Sequence, residues 1–199
     1  MHRISVACLA LPLLGACGID MGLGSDAEVK AAIGRMNAEY DHRVVTSREL
    51  IRNVRTIGRR EGTDFRPVEV ACLDASAASV PDILNDTVAF EREEVAQRRL
   101  ADLLSGLLIT ADTNPRIRVD PKYRMIKATL SREEQKIEQA RDTYSDAARS
   151  YNEKLHALPF NHYAGVMHYV DKPLLAMPDR GTRPPLRHDF DALRGSLRV

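Results

Sequence analysis

From Lys122 to Leu158 the chain contains neither glycine nor proline, and no other feature restricts its fold so strongly. Apolar side chains recur there at Met125 or Ile126, Leu130, Ile137, Ala140, Tyr144, Ala147 or Ala148, Tyr151 and Leu155, one stripe of a 3.6-residue period. Asp120-Pro121 places a cap and then a residue suited to the first turn directly ahead of it. At about 1.5 Å per residue the predicted helix runs roughly 50 Å. A rod of that length cannot hide its stripe alone, so comparable helices must lie beside it.

Two further segments supply them. From Asp26, the residues Val29, Ile33, Met36, Tyr40, Val44, Ile51, Val54 and Gly58 fall at helical steps, with Ser25 or Asp26 as cap and an end expected near Gly62. The interleaved Lys30, Arg35, Glu39, Asp41, Arg43, Arg48, Glu49, Arg52 and Arg55 read as a solvated face. A second long helix is expected to open at Pro81 and run through Ile83, Val88, Val95, Leu100, Leu103, Leu104, Leu107 and Leu108, stopping before Asn114-Pro115. Thr63 to Val80, with Pro67 and the run Ala75-Ser76-Ala77-Ala78-Ser79, reads as a broken connection holding one or two helical turns. The fold class is therefore all-α, an antiparallel up-and-down bundle of three to four long helices. Only 5% of residues are aromatic and there is no tryptophan, which suits such a bundle better than a sandwich or barrel.

The start of the chain reads as an address. Arg3 is followed by an apolar run from Ile4 to Leu14 and then by small residues, the layout of a secretory signal. That run is shorter than the roughly 18 residues needed to span a bilayer. Leu14-Gly15-Ala16-Cys17 resembles the lipobox of bacterial lipoproteins, in which the cysteine thiol is lipidated and becomes the new N-terminus. The alternative is ordinary signal cleavage after Ala16 or later. Lipidation at Cys17 predicts a partner in the lipid bilayer itself, and stable anchoring requires more than one acyl chain. The expected organisation is residues 1–16 as lipoprotein signal, 17–25 as lipidated cysteine and flexible tether, 26–175 as helical bundle, and 176–199 as a flexible tail. That tail carries Pro178, Pro184, Pro185, Arg180, Arg183, Arg187, Arg194 and Arg198 and reads as a disordered extension, or as one able to touch phosphates or acidic partners.

Charge and motifs narrow the chemistry. Lys and Arg total 29 against 28 Asp and Glu, a net charge of +1, so the basic footprint of a nucleic-acid binder is missing. With Cys8 in the signal and Cys17 carrying lipid, Cys72 stands without an internal disulfide partner, and its neighbours Val70, Ala71 and Leu73 suggest a packed, inert thiol. His156, His162 and His168 are spaced by six, which fits no helical metal pair. Glu91, Glu93, Glu94, Glu133 and Glu134 lie on the predicted long helices and read as solvated faces. No nucleophile elbow, phosphate loop, dinucleotide fingerprint or zinc-protease motif occurs. The expectation is a protein that is not an enzyme and needs no cofactor or metal.

Ile137, Ala140-Arg141, Tyr144, Tyr151-Asn152, Leu155, Pro159, Asn161 and Ala164-Gly165 resemble the C-terminal signature of the LemA family. Leu107-Leu108, Ala111 and Asn114-Pro115 resemble its preceding turn, and Leu50-Ile51 with Asn53-Val54 resembles its Leu-Ile-Pro-Asn-Leu-Val segment. The likeness covers about residues 26 to 175. Arg52, Ser145 and Leu158 depart from the pattern. The resemblance implies an antiparallel helical bundle without established enzymatic activity, and it marks Asn53, Arg141, Tyr144, Tyr151, Asn152 and Asn161 as family polar positions. Many relatives carry a transmembrane helix where this chain has its lipobox-like segment. The functional expectation is a scaffold or adaptor anchored in a bacterial cell membrane or outer membrane, facing the periplasm and meeting an unidentified envelope protein. Two alternatives remain: a module that binds a ligand or peptide in a groove with Asn53, Tyr144 and Asn152 as contacts, or a regulator of an envelope peptidase.

Overall fold

The computed structural model describes residues 23–58, 64–157 and 169–175. Five helices follow one another: α1 (Leu23–Ile57), α2 (Arg66–Ala78), α3 (Thr87–Thr113), α4 (Pro115–Val119) and α5 (Pro121–His156). Among the described residues there is no strand. Side-chain pairs fix the directions. Tyr40 meets Glu94 and Arg43 meets Gln97, so α1 and α3 run parallel. Arg55 meets Glu69 and Arg48 meets Ser76, so α2 runs against α1. Arg43 meets Glu134 while Asn53 meets Asp120, so α5 also runs against it. The result is the expected up-and-down bundle, with a short second helix.

Local chemistry explains the boundaries. The Asp120 carboxylate accepts the Tyr123 amide at 2.7 Å, and the Asn114 side chain accepts the Arg116 amide at 2.9 Å, each satisfying a donor that a helix start leaves free. α3 begins later than Pro81 because Asp82 adopts a left-handed conformation (φ 64°), which interrupts a right-handed helix. A short 3₁₀ turn at Ile83–Asn85 follows, and Asp86 caps α3 through the Ala89 amide at 3.0 Å. The expected broken connection contains a full helix instead. α2 buries Val68, Ala71, Cys72, Ala75 and Ala78 at helical steps, and Pro67 falls in its first turn, where proline removes no intrahelical bond. α1 ends at Ile57, ahead of Gly62, and begins at Leu23, so the last residues of the expected tether are helical.

The core has two apolar parts. One gathers Val44, Leu50, Ile51 and Val54 of α1 with Ala71 and Cys72, then Leu100, Leu104, Leu107 and Leu108 of α3, and Tyr123, Ile126 and Leu130 of α5. The other gathers Val29, Ile33, Met36 and Tyr40 with Ile83, Leu84 and Phe90, and Ile137, Tyr144, Ala148 and Tyr151. Between them the inward face of each rod turns polar. On α3 the stripe does not continue through Val88 and Val95, which are 64% and 63% exposed. Stepping back from Leu100 and Leu104 by helical turns leads to Gln97, Glu93, Glu94 and Phe90, and all four are buried.

Candidate functional site

The polar layer corrects the reading of several charges as solvated. Arg43 of α1 and Glu93, Glu94 and Glu133 are all buried, whereas Glu91 is exposed. The Arg43 guanidinium reaches both carboxylate oxygens of Glu134 at 3.2 and 3.1 Å. It also donates to the Gln97 carbonyl and side-chain oxygen at 3.0 and 2.7 Å, and lies 5.3 Å from the centre of the Tyr40 ring. Arg141 of α5 donates to Glu94 and to the Tyr40 hydroxyl, and that hydroxyl donates to Glu94 at 2.9 Å. One cation thus ties three helices together at this level.

Two arginines face four glutamates, and the imbalance has consequences. Glu93 is 1% exposed and its Oε1 has no hydrogen-bond partner. Burial, opposed by a hydrogen bond from Ser79 and reinforced by Glu94 and Asp41, pushes its carboxyl up to about 7. Burial likewise raises Glu133, which accepts from Thr46 at 2.7 Å. Arg141 is lowered by burial but raised more by Tyr40 and Glu94, so it ends above its ordinary value. The layer therefore stays near neutrality by pairing two carboxylates with arginines and holding the other two toward their protonated forms. The void beside Arg43, lined by Leu104, Ser105 and Glu134 among others, is about 10 Å³. That is room for one water, far too little for a substrate.

A second polar arrangement lies at the other end of α5. Asn152 donates to the Lys172 carbonyl at 2.9 Å and accepts the Lys172 amide at 2.8 Å. The Tyr144 hydroxyl donates to the Pro173 carbonyl at 2.6 Å, and the Tyr144 ring packs 5.5 Å from Phe90. Lys172 is 6% exposed. Its ammonium sits 2.9 Å from Asp26 of α1 and 5.0 Å from the centre of the Tyr151 ring. Asp26 is raised by burial but lowered more by Lys30 and Lys172, and stays below the usual carboxylate range. His156 meets Asp171 at 2.8 Å near the surface.

The marked residues thus divide among three places. Tyr144, Tyr151 and Asn152 act together on residues 171–175. Arg141 belongs to the adjoining polar layer. Asn53 donates to Asp120 at 3.4 Å, beside the start of α5, whereas Tyr144 and Asn152 lie 24 and 32 residues farther along that helix, about 35 Å or more away. A groove with Asn53, Tyr144 and Asn152 as joint contacts is not what the bundle builds. Cys17 and Asn161 lie outside the described residues, as do His162 and His168. Cys72 is 1% exposed, and burial raises its thiol, as expected for a packed side chain. Sequence reasoning missed Asp26, Tyr40, Arg43, Glu93, Glu94, Gln97 and Lys172. The available signal was the helical step itself, carried through charged positions.

Among the described residues, no group of three or more His, Cys, Asp and Glu is placed to hold a metal ion, and no helix is long and apolar enough to cross a membrane. Fold and site together define a helical-bundle protein whose Arg43, Arg141 and Lys172 pair with carboxylates on other elements of the same chain. The LemA family model matches residues 32–190, more than half of the chain, and the protein belongs to the LemA family. No curated protein is similar to the chain at a level that counts as a match.

Proposed function

We propose that this LemA-family protein is a lipid-anchored, non-catalytic scaffold of a bacterial cell envelope, presenting its bundle to the periplasm. The observation that carries the reading is Leu14-Gly15-Ala16-Cys17 after an apolar run. Leu23, where α1 begins, follows Cys17 by six positions, at most about 20 Å of extended chain. On this reading the Asp26 end of the bundle faces the bilayer. A scaffold role is supported by the use made of interior charges: Arg43, Arg141, Glu94 and Glu134 neutralise one another across helices rather than lining a cleft.

The reading is tested by expressing the full chain with an alkyne fatty acid and comparing it with Cys17→Ala. The expected result is label and membrane recovery in the wild type, with both lost in the variant. An unlabelled wild-type chain, or a variant that keeps its label, contradicts it.

A further inference from the structure

Residues 172–175 are held by contacts of the kind that hold an extended peptide. Asn152 takes both the amide and the carbonyl of Lys172, the pair of bonds that a neighbouring β-strand makes with an extended residue. Lys172 is biased toward extended backbone because Pro173 follows it, and proline brings no amide that would need a partner. Tyr144 takes the next carbonyl. These three bonds read backbone alone, so they accept any extended segment with proline in that place.

Side chains add selectivity at two positions. A cation is favoured where Lys172 lies 2.9 Å from the Asp26 carboxylate and over the Tyr151 ring, a carboxylate that it shares with Lys30 of α1. An apolar side chain is demanded where the half-buried Leu175 packs against the apolar cluster containing Tyr144 and Tyr151. The intervening Leu174 is 53% exposed and imposes nothing. The pattern read is basic, proline, any residue, leucine.

We propose that the cleft formed by Asp26 of α1 and Tyr144, Tyr151 and Asn152 of α5 is a recognition site for an extended basic-Pro-x-Leu segment of a partner protein, filled in the resting chain by its own Lys172–Leu175. The internal segment competes at the high effective concentration of a tethered ligand, so a partner engages when that segment is displaced. The site is independent of how the chain is anchored.

The test uses the full chain carrying Lys172→Ala and Leu175→Ala, which weakens the internal occupant, and a fluorescent peptide of residues 169–175 as probe. Anisotropy is expected to show saturable binding to the weakened chain and at least about tenfold weaker binding to the wild type. Adding Asn152→Ala to the weakened chain is expected to reduce affinity by about tenfold or more, and a peptide carrying Lys172→Glu to fail. Circular dichroism verifies that each variant keeps its helices, and the single Lys172→Ala chain serves the same comparison if the double variant does not fold. Absence of peptide binding to a folded weakened chain overturns the proposal. So does equal binding by the wild type, or equal binding of the Lys172→Glu peptide.

Discussion

Raising the pH from 5 to 8 is predicted to cost this fold stability through Glu93. The carboxyl is 1% exposed, and burial lifts it from 4.5 to about 7, while in the unfolded chain it returns to its ordinary value. Between these two values the folded state holds a proton that the unfolded state has released, so stability falls as pH rises through the interval and levels off above it. At about 1.4 kcal/mol per unit, the loss reaches roughly 3 kcal/mol. Glu133, also raised, adds in the same direction. Asp26 and Asp64 are lowered and act with the opposite sign, but only below the ordinary carboxylate range. Glu93→Gln removes the charge and keeps the shape. It should match the wild type at pH 5 and exceed it at pH 8 by up to about 3 kcal/mol, roughly 6–12 °C in Tm for a chain of this size. Thermal and urea melts followed by circular dichroism at both pH values measure the difference. Parallel pH profiles for the two chains would refute the claim that Glu93 is buried with a raised carboxyl.

Three other outcomes follow from particular contacts. Arg141→Met leaves the buried Glu94 carboxylate without its cation and should cost about 3–5 kcal/mol in urea melts, while Arg141→Met with Glu94→Leu and Tyr40→Phe, which leaves no member of the trio unpaired, should recover most of that loss. Asn152→Ala removes both bonds to Lys172 and should lower the local opening free energy at the Lys172 amide by about 2 kcal/mol in hydrogen exchange, with little change at Leu108 in the distant core. Cys72, buried with its thiol raised by that burial, should react with a thiol reagent at pH 8 only as fast as the chain opens, and at once in denaturant.

The helices were legible wherever apolar periodicity ran without interruption. Val29, Ile33, Met36, Tyr40, Val44, Ile51 and Val54 of α1 face inward as their spacing predicts, and the Asp120-Pro121 signal marks the start of α5. What failed was the assumption that a charge marks an outer face. Glu93 and Gln97 occupy the inner face of α3, so Val88 and Val95, apolar but exposed, misdirect the stripe. Glu133 does the same in the gap between Leu130 and Ile137. Buried ions need partners on other helices, and those partners lie 47 to 101 positions away in sequence, beyond any local pattern. α2 reads from sequence as only one or two turns because small residues fill its buried face, and the contrast with its outer face is slight. Tyr144 and Asn152 were identified as belonging together. That they hold residues 172 and 173, 20 and 29 positions farther on, is something spacing does not encode.

The central claim, a scaffold that acts from a lipid anchor by holding another envelope protein, is tested most directly by in-cell cross-linking. Wild type and Cys17→Ala are compared at matched abundance, and the co-recovered proteins are quantified by mass spectrometry. The account predicts one protein recovered in near-equal amount with the wild type and lost with the variant. Empty recovery, or the same recovery from both chains, contradicts it.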